Sequence, residues 1–268
     1  MPDGSPEPSE ARPTPDGAGL AVITGAARGI GAAVAVALAE EGWSLVVADA
    51  CSAQPGIGYS MPSRADLDAV AGRTGAEVLC ADVAAPGFGA QLTDVLAGRR
   101  VDAAVAGAGV IAGGLAWATD EVAWSTLLNV NLHGTRRLAE ATVPGMVAAG
   151  SGRFVAIASA AALRAMPQLA AYSAAKAAVV GYVRALAADL AGTGVLANVV
   201  CPGSTRGAML AASADVYDLT DQDEFAGHQL LRRVLEPREV AAAVAWLCGP
   251  AAGAVTGTVV PVDGGLTA

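Results

Sequence analysis

Short apolar runs rich in Val, Ile and Leu alternate along the chain with longer Ala-rich segments. The apolar runs predict seven β-strands, at residues 19–24, 44–49, 77–81, 101–106, 153–158, 195–201 and 257–262. The segments between them predict helices, most clearly at residues 29–41, 65–73, 120–149, 170–191 and 237–248. Apolar strands that alternate with helices are typical of a parallel sheet covered on both faces. The pattern therefore predicts an α/β fold, a single doubly wound domain with a seven-stranded parallel sheet.

The domain is predicted to span residues 18–268, and two long connections interrupt its alternation of strands and helices. Residues 1–17 are crowded with Pro and acidic residues and lack an apolar run, so they predict a disordered tail rather than a targeting signal. One long connection, residues 51–64, follows the second strand, and another, at about 204–233, follows the sixth. Because long connections are commonly binding loops, we expect residues 204–233 to form a lid over an apolar substrate site.

Composition excludes several classes of function. The 268 residues carry a formal net charge of −9, which is unlike the broad positive field of nucleic-acid-binding proteins. The uncharged, mostly apolar stretch at residues 103–118 is shorter than the roughly 20 residues that a membrane-spanning helix requires, and four of its residues are glycine. The four cysteines show no metal-site spacing, and each lies in an apolar run. We therefore expect a reduced, cytoplasmic protein without a metal and without a nucleic-acid or membrane partner.

A glycine-rich turn, TGAARGIG at residues 24–31, joins the first predicted strand to the first helix. Glycine lets the backbone turn tightly and approach a pyrophosphate, and the free N–H groups of a helix N-terminus bind that anion. This strand–turn–helix context predicts a Rossmann dinucleotide site. Its candidate cofactor-binding residues are Gly25, Arg28, Gly29, Ile30 and Gly31.

Asp49 ends the second predicted strand, 18 residues beyond Gly31. A carboxylate at this position can accept hydrogen bonds from both hydroxyls of the adenosine ribose, and it repels a 2′-phosphate. NAD is therefore favoured over NADP as the cofactor. A solvated aspartate at a strand end is the alternative, and Arg28, which could bind a phosphate, leaves NADP open.

Tyr172 and Lys176 lie at the start of the 170–191 helix, where a spacing of four residues places them on one face. A nearby ammonium favours the ionised phenol, so we expect it to lower the tyrosine pKa from about 10 towards neutrality. Lys176 is the chain's single lysine, beside 15 arginines, which weakens chance as an explanation of the pair.

Ser159 and Asn131 are two further candidates. Ser159 ends the fifth predicted strand, 13 residues before Tyr172, and doubly wound folds bind ligands at strand carboxyl ends. Its hydroxyl and the phenol could converge on one substrate oxygen, although a serine that caps a turn is the alternative. Asn131 lies within the predicted 120–149 helix, where an amide has middling propensity and requires a partner or solvent.

Together these residues strongly resemble the short-chain dehydrogenase/reductase family, from about residue 19 to the C-terminus. The family's TGxxxGxG turn matches residues 24–31, and its catalytic residues match Asn131, Ser159, Tyr172 and Lys176. The resemblance implies an NAD(H)-dependent oxidoreductase that interconverts a secondary alcohol and a ketone by hydride transfer. Tyr172 would be the general acid/base, Ser159 would hold the substrate oxygen and Asn131 would position a water. Lys176 would bond the nicotinamide ribose, so Tyr172 and Lys176 would also contact the cofactor.

The resemblance adds cofactor-binding candidates that follow the third, fourth and sixth strands: Asp82, Val83, Ala106, Gly107, Pro202, Gly203 and Thr205. Two departures from the family pattern stand out. The usual NNAG after the fourth strand reads AGAG at residues 106–109, so we expect the side-chain amides that brace the central strand to be missing. Gly207 replaces a threonine that bonds the nicotinamide carboxamide, and Thr205 is the candidate to compensate.

The segments at residues 51–64, 108–114, 201–210 and 238–250 resemble an actinobacterial subgroup with carveol-dehydrogenase-like and mycofactocin-associated members. The latter are thought to keep NAD bound and to pass electrons to a separate carrier. A biosynthetic ketoreductase that uses NADPH and a non-catalytic nucleotide-binding protein are the competing hypotheses. We expect a hydrophobic alcohol or ketone as substrate.

Small residues at 174, 178, 181 and 185 share one side of the 170–191 helix. They either pack on the chain's own sheet or allow a second helix to approach closely. The family resemblance favours the second alternative and implies a homotetramer or dimer.

Overall fold

The computed structural model describes residues 19–268, so the predicted tail at residues 1–17 lies outside the described residues. One parallel sheet holds seven strands in the order β3-β2-β1-β4-β5-β6-β7. The strands are β1 (Leu20–Thr24), β2 (Ser44–Asp49), β3 (Glu77–Cys80), β4 (Ala103–Ala106), β5 (Gly152–Ile157), β6 (Val195–Pro202) and β7 (Val259–Val262). Their ends differ from the predicted ends by two residues at most. The predicted fold class is confirmed.

Helices cover both faces of this sheet. They are α1 (Gly29–Glu40), α2 (Arg64–Thr74), α3 (Phe88–Leu96), α4 (Glu121–Leu127), α5 (Gly134–Ala149), α6 (Ala170–Asp189), α7 (Ala208–Val216) and α8 (Pro237–Cys248). None of the helices within residues 19–268 is long and apolar enough to cross a membrane.

Two hydrophobic cores lie on opposite faces of the sheet. Successive side chains of a strand point to opposite faces, so Leu20 and Val22 of β1 join one core while Ala21 and Ile23 join the other. The first core is closed by α3, α5 and α6, and the second by α1, α2 and α8. Because both faces are buried, the strands read as uninterrupted apolar runs in the sequence.

The structure corrects the helix predictions in two places. Helix α3 was predicted only as part of a segment between strands, without a range, and α7 was not predicted, because it lies within the 204–233 connection. The predicted 120–149 helix is not continuous, because a π-helical segment, Leu128–His133, separates α4 from α5. Such wide turns are rare and occur frequently at functional sites, and Asn131 lies within this one.

The chain order of the strands reverses between β1 and β4. From β1 the chain proceeds to β2 and β3 on one side, and β4 to β7 extend the sheet on the other. In open parallel sheets this reversal leaves a crevice at the carboxyl ends of the central strands, where ligands bind. The topology therefore places the ends of β1, β2, β4 and β5 around one crevice.

Candidate active site

A cleft of about 550 Å³ opens at the carboxyl ends of these strands. Fifteen of the residues predicted from the sequence line it: Gly25, Arg28, Gly29, Ile30, Gly31, Asp49, Asp82, Val83, Gly107, Ser159, Tyr172, Lys176, Pro202, Gly203 and Thr205. Ala106 and Asn131 do not. The side chain of Ala106 belongs to the core beneath the cleft, because Ala106 is the last residue of the buried strand β4. Asn131 is fully buried behind the cleft wall.

The glycine-rich turn has the shape that a pyrophosphate requires. A side chain at Gly25 would lie 2.6 Å from the backbone of Ala108, and one at Gly31 would overlap the carbonyl of Gly25. Gly29 has a φ of +58° and open space above its Cα. No side chain caps the N-terminus of α1, so its first N–H groups are free to bind an anion. These observations fit a dinucleotide phosphate.

Asp49 is held at the end of β2 by backbone donors. Its Oδ2 accepts from the Ala27 N–H at 3.1 Å, and its Oδ1 accepts from the Cys51 N–H at 3.4 Å. Burial raises the pKa of this carboxyl, and the backbone hydrogen bonds oppose the rise. A carboxylate offers about four acceptor sites, so Asp49 can still accept bonds from ribose hydroxyls in the cleft that it lines.

Arg28 is engaged by the connection that follows β2. Its Nη1 donates to the Ser60 carbonyl at 2.7 Å, and its guanidinium lies 5.6 Å from the centre of the Tyr59 ring. The Tyr59 hydroxyl accepts from the Ile111 N–H at 3.3 Å, beyond the end of β4. These contacts fold residues 51–63 across one side of the cleft and hold the Arg28 side chain against this connection.

Gln54 is a cleft residue that sequence reasoning missed. It is buried, and its Nε2 donates to Oδ2 of Asp82 at 3.2 Å. The other Asp82 oxygen accepts from the Ala84 N–H at 2.8 Å. Gln54 thus fixes the orientation of the Asp82 carboxylate. A glutamine in a long irregular connection has no distinguishing pattern in one sequence.

The central strand is braced even though the family's amides are replaced by AGAG. Thr24 Oγ1 accepts from the N–H groups of Gly107 and Ala108, at 3.2 and 3.3 Å. The Asn131 amide donates to the carbonyls of Val110 and Leu127 and accepts from the Val110 N–H. The family's amide side chains are missing at residues 106–109, as expected, but the side chains of Thr24 and Asn131 brace this backbone instead. Both donors of the Asn131 amide are used, so this side chain braces the backbone that follows β4.

Tyr172 and Lys176 lie in the first two turns of α6 and are both buried. Lys176 Nζ donates to the Ile157 carbonyl at 2.9 Å and lies 5.8 Å from the centre of the Tyr172 ring. Burial lowers the pKa of Lys176 to about 8 and raises the pKa of Tyr172 to about 12. The expected fall in the Tyr172 pKa is therefore not seen in the protein without a cofactor. Burial removes water from the tyrosinate and from the ammonium alike, and so disfavours both charged groups.

Ser159 caps a turn, which is one of the two alternatives that the sequence left open, and it also lines the cleft beside Tyr172. Its Oγ accepts from the Ala161 N–H at 3.1 Å and so caps the short 3₁₀ turn after β5. The same side chain hydrogen-bonds the phenol of Tyr172, which opposes the rise in the tyrosine pKa. Hydroxyl, phenol and ammonium thus lie together at the floor of the cleft.

The far half of the cleft is mainly apolar. Several side chains of the 204–233 connection line it, together with Met166 and Leu266: Met209, Leu210, Tyr217, Leu219 and Phe225. The Tyr217 hydroxyl donates to the Pro167 carbonyl at 2.7 Å, which ties this connection to the loop before α6. Thr205 Oγ1 donates to the Gly203 carbonyl at 3.1 Å. Arg164 Nη1 donates to the Leu266 carbonyl at 2.6 Å, so its charge anchors the C-terminal segment.

Comparisons with known proteins agree with this geometry. Residues 25–267 match the family model described as Enoyl-(Acyl carrier protein) reductase. An uncharacterized NAD-dependent oxidoreductase of Mycobacterium tuberculosis is 34% identical over 262 residues, which cover 92% of this chain and 94% of that protein. Carveol dehydrogenase from Mycobacterium avium, solved in complex with NAD, has a TM-score of 0.87 and 26% identity, covering 92% and 96%. A short chain dehydrogenase from Mycobacterium paratuberculosis bound to NAD has a TM-score of 0.86 and 29% identity, covering 94% and 98%.

The phosphate-binding turn, Asp49 and the buried polar floor of the cleft define an NAD-dependent oxidoreductase, the class to which the similar proteins also belong. The chain is a member of the short-chain dehydrogenase/reductase family and is similar to its actinobacterial carveol-dehydrogenase-like subgroup.

Proposed function

We propose that the chain interconverts a secondary alcohol and a ketone, with Tyr172 as the general acid/base. The observation that carries this proposal is the convergence of the Tyr172 phenol, the Ser159 hydroxyl and the Lys176 ammonium at the floor of one cleft. When bound, NAD supplies the group that accepts hydride from an alcohol or, when reduced, returns it to a ketone. The protein's part is to bind the substrate oxygen and to move its proton.

Proton transfer is the step that these residues can perform. In the oxidation direction, the ionised Tyr172 oxygen removes the hydroxyl proton while Ser159 donates a hydrogen bond to the substrate oxygen. Ionisation requires a positive charge to offset the burial that raises the Tyr172 pKa to about 12. Lys176 is the protein's cation at this place, and its bond to the Ile157 carbonyl fixes its ammonium below the phenol.

The apolar half of the cleft favours a hydrophobic substrate. Met166, Met209, Leu210 and Phe225 face the space beside Tyr172, and burial of apolar surface would stabilise a hydrocarbon there. We propose that residues 204–233 act as a lid, because α7 covers this half and Tyr217 fastens it to the opposite wall.

Tyr172→Phe tests the mechanism. We expect turnover to fall by about a thousandfold or more, because general acid–base catalysis typically contributes 10²–10⁴-fold, while NAD affinity changes little. The measurements are a steady-state rate with a screened panel of secondary alcohols and the NAD dissociation constant. Tyr182→Phe, on the same helix but away from the cleft, is the matched control. Retained turnover in Tyr172→Phe would contradict the mechanism.

A second candidate function is an enzyme that retains NAD and passes electrons to a separate carrier, such as mycofactocin. The observation that favours it is the connection at residues 51–63, which Arg28, Tyr59 and Gln54 fasten across the cofactor half of the cleft. The purified protein would then carry NAD through extensive dialysis and oxidise alcohols only with an artificial electron acceptor. Readily exchanged NAD with ordinary turnover would exclude this candidate.

An NADPH-dependent ketoreductase is less well supported, because the Asp49 carboxylate would repel a 2′-phosphate. Rates with NADH and NADPH, measured on a panel of ketones, separate the two cofactors. A non-catalytic nucleotide-binding protein would lack turnover with either cofactor.

We also propose that the protein is a homotetramer or a dimer in the cytoplasm. Ala174, Gly181 and Ala185 of α6 are exposed on the single chain, so these small residues do not pack on the chain's own sheet. Their exposure supports an approach by a helix of a second copy.

A further inference from the structure

Two of the four cysteines lie side by side at the carboxyl ends of β2 and β3. Cys80 is the last residue of β3, where it pairs with Asp49 of β2, and Cys51 follows Asp49 by two residues. The Cys80 Sγ lies 3.7 Å from the carbonyl oxygen of Ala50, the residue directly before Cys51. The Ala50 carbonyl belongs to the peptide unit that leads into Cys51, so the Cys80 sulfur lies directly beside the backbone from which the Cys51 side chain stems.

The surroundings of this pair differ from those of the other two cysteines. Cys80 is exposed and Cys51 half-buried, whereas Cys201 and Cys248 are buried. Cys51 adopts a φ of +51°, a left-handed conformation that is uncommon for any residue except glycine. Burial raises the pKa of the Cys51 thiol to about 12, whereas Cys80 is exposed. A dissolved oxidant therefore reaches Cys80 first, with Cys51 as the neighbouring thiol that can resolve the oxidised sulfur.

The pair is directly connected to the cofactor site. The Cys51 N–H donates to Oδ1 of Asp49 at 3.4 Å, and Asp49 and Ala50 both line the cleft. The Ala81 N–H donates to the Asp49 carbonyl at 2.9 Å, so the residue after Cys80 also holds Asp49. Any shift of Cys51 towards Cys80 therefore changes the hydrogen bonds that orient the Asp49 carboxylate.

We propose that Cys51 and Cys80 form a reversible disulfide that weakens NAD binding at Asp49. A peroxide first oxidises the exposed Cys80 thiol to a sulfenic acid and is reduced to water. The Cys51 sulfur then attacks the Cys80 sulfur, the S–O bond breaks, and a second water leaves as the S–S bond forms. Overall, two thiols lose two protons and two electrons to the peroxide. The sulfurs must close to about 2.05 Å, which draws Cys51 and its N–H away from Asp49.

The experiment treats the purified full-length protein with hydrogen peroxide and compares it with the reduced protein. We expect free thiols to fall from four to two and trypsin to release residues 29–64 linked to residues 74–99. The NAD dissociation constant should rise about fivefold, which is the effect of losing one hydrogen bond, and dithiothreitol should restore it. Where NAD is retained on purification, the readout is the fraction released on desalting.

Two variants complete the test. Cys80→Ser should keep its NAD affinity after the same treatment, and Cys248→Ser, which removes a buried thiol remote from the cleft, should respond as the wild-type protein does. The proposal is overturned if no linked peptide forms, if the link forms without a change in NAD affinity, or if Cys80→Ser loses affinity equally. None of these outcomes depends on Tyr172, so they are independent of the proposed mechanism.

Discussion

Burial sets the protonation of the two α6 side chains at the floor of the cleft. Lys176 and Tyr172 are both buried, and their pKa values move in opposite directions, to about 8 and about 12. Both shifts favour the neutral form, because the low-dielectric interior penalises charge of either sign. In the proposed catalytic pair, the lysine therefore loses its proton more easily than usual, and the tyrosine holds its proton more tightly, until a further charge enters the site.

The pH dependence of stability tests the state of Lys176. In NAD-free protein, the buried ammonium destabilises the fold below pH 8, because lysine in the unfolded chain keeps its proton up to its ordinary pKa of 10.5. Between pH 8 and 10.5 the unfolded chain binds more protons, so the free energy of unfolding rises with pH. Relative to Lys176→Met, the wild-type protein should gain about 2 kcal/mol between pH 7.5 and 10 in urea titrations. A constant difference between the two proteins would contradict this.

Asp49 should decide between the two dinucleotides. Asp49→Asn removes the charge and keeps the side-chain shape, so NAD affinity should fall about tenfold with the loss of charged hydrogen bonds. The discrimination against NADP should fall with it, because the repulsion of a 2′-phosphate is gone. Both effects are measured as dissociation constants for NAD and NADP. The control is Asp94→Asn, at an exposed aspartate on α3, which should leave both dissociation constants unchanged. If the ratio of the NADP and NAD dissociation constants is the same in Asp49→Asn as in the wild-type protein, Asp49 does not select the cofactor.

Among the elements, α7 is tied over the cleft by a side-chain hydrogen bond at its C-terminal end. Leu210 and Ala214 of α7 pack with Phe225 and Val234 in a small cluster, and the hydroxyl of Tyr217, the residue after α7, donates to the Pro167 carbonyl. Tyr217→Phe should lower the hydrogen-exchange protection of the α7 amides about fivefold, the effect of one hydrogen bond. Protection in α6 should stay the same in that variant. Equal protection of α7 in both proteins would show that the hydroxyl does not hold the lid.

Element by element, the sequence predicted what periodicity can encode. All seven strands were found because buried parallel strands are continuous apolar runs. The short helix α3 presents only Phe88, Leu92 and Leu96 to the core, a signal too brief to detect. The π-helical break at Leu128–His133 was not apparent from the local sequence, and within it the Asn131 amide donates to the carbonyl of Val110, which lies on a different segment.

At the scale of the whole molecule, the exposed small residues of α6 predict an assembly. Gly181→Arg should fold normally, because no atom lies within 4 Å of the Cβ position, but should prevent close helix packing. Sedimentation should show the wild-type protein at two or four times the chain mass of 26.3 kDa and the variant below it. Gly72→Arg, at an equally open helix glycine of α2, should assemble normally. A monomeric wild-type protein would contradict the prediction.

Three features were determined by the sequence itself: the succession of strands along the chain, the dinucleotide turn, and the set of Ser159, Tyr172 and Lys176. Each depends on local spacing or on a motif that is contiguous in the chain. The tertiary structure alone decided how those residues are used. It placed Ala106 in the core, gave Thr24 and Asn131 the bracing of β4, and brought Gln54 to Asp82. It also raised the pKa of a phenol that was expected to ionise easily. Desolvation and contacts between distant segments cause these outcomes, and neither can be predicted from the spacing of residues along the chain.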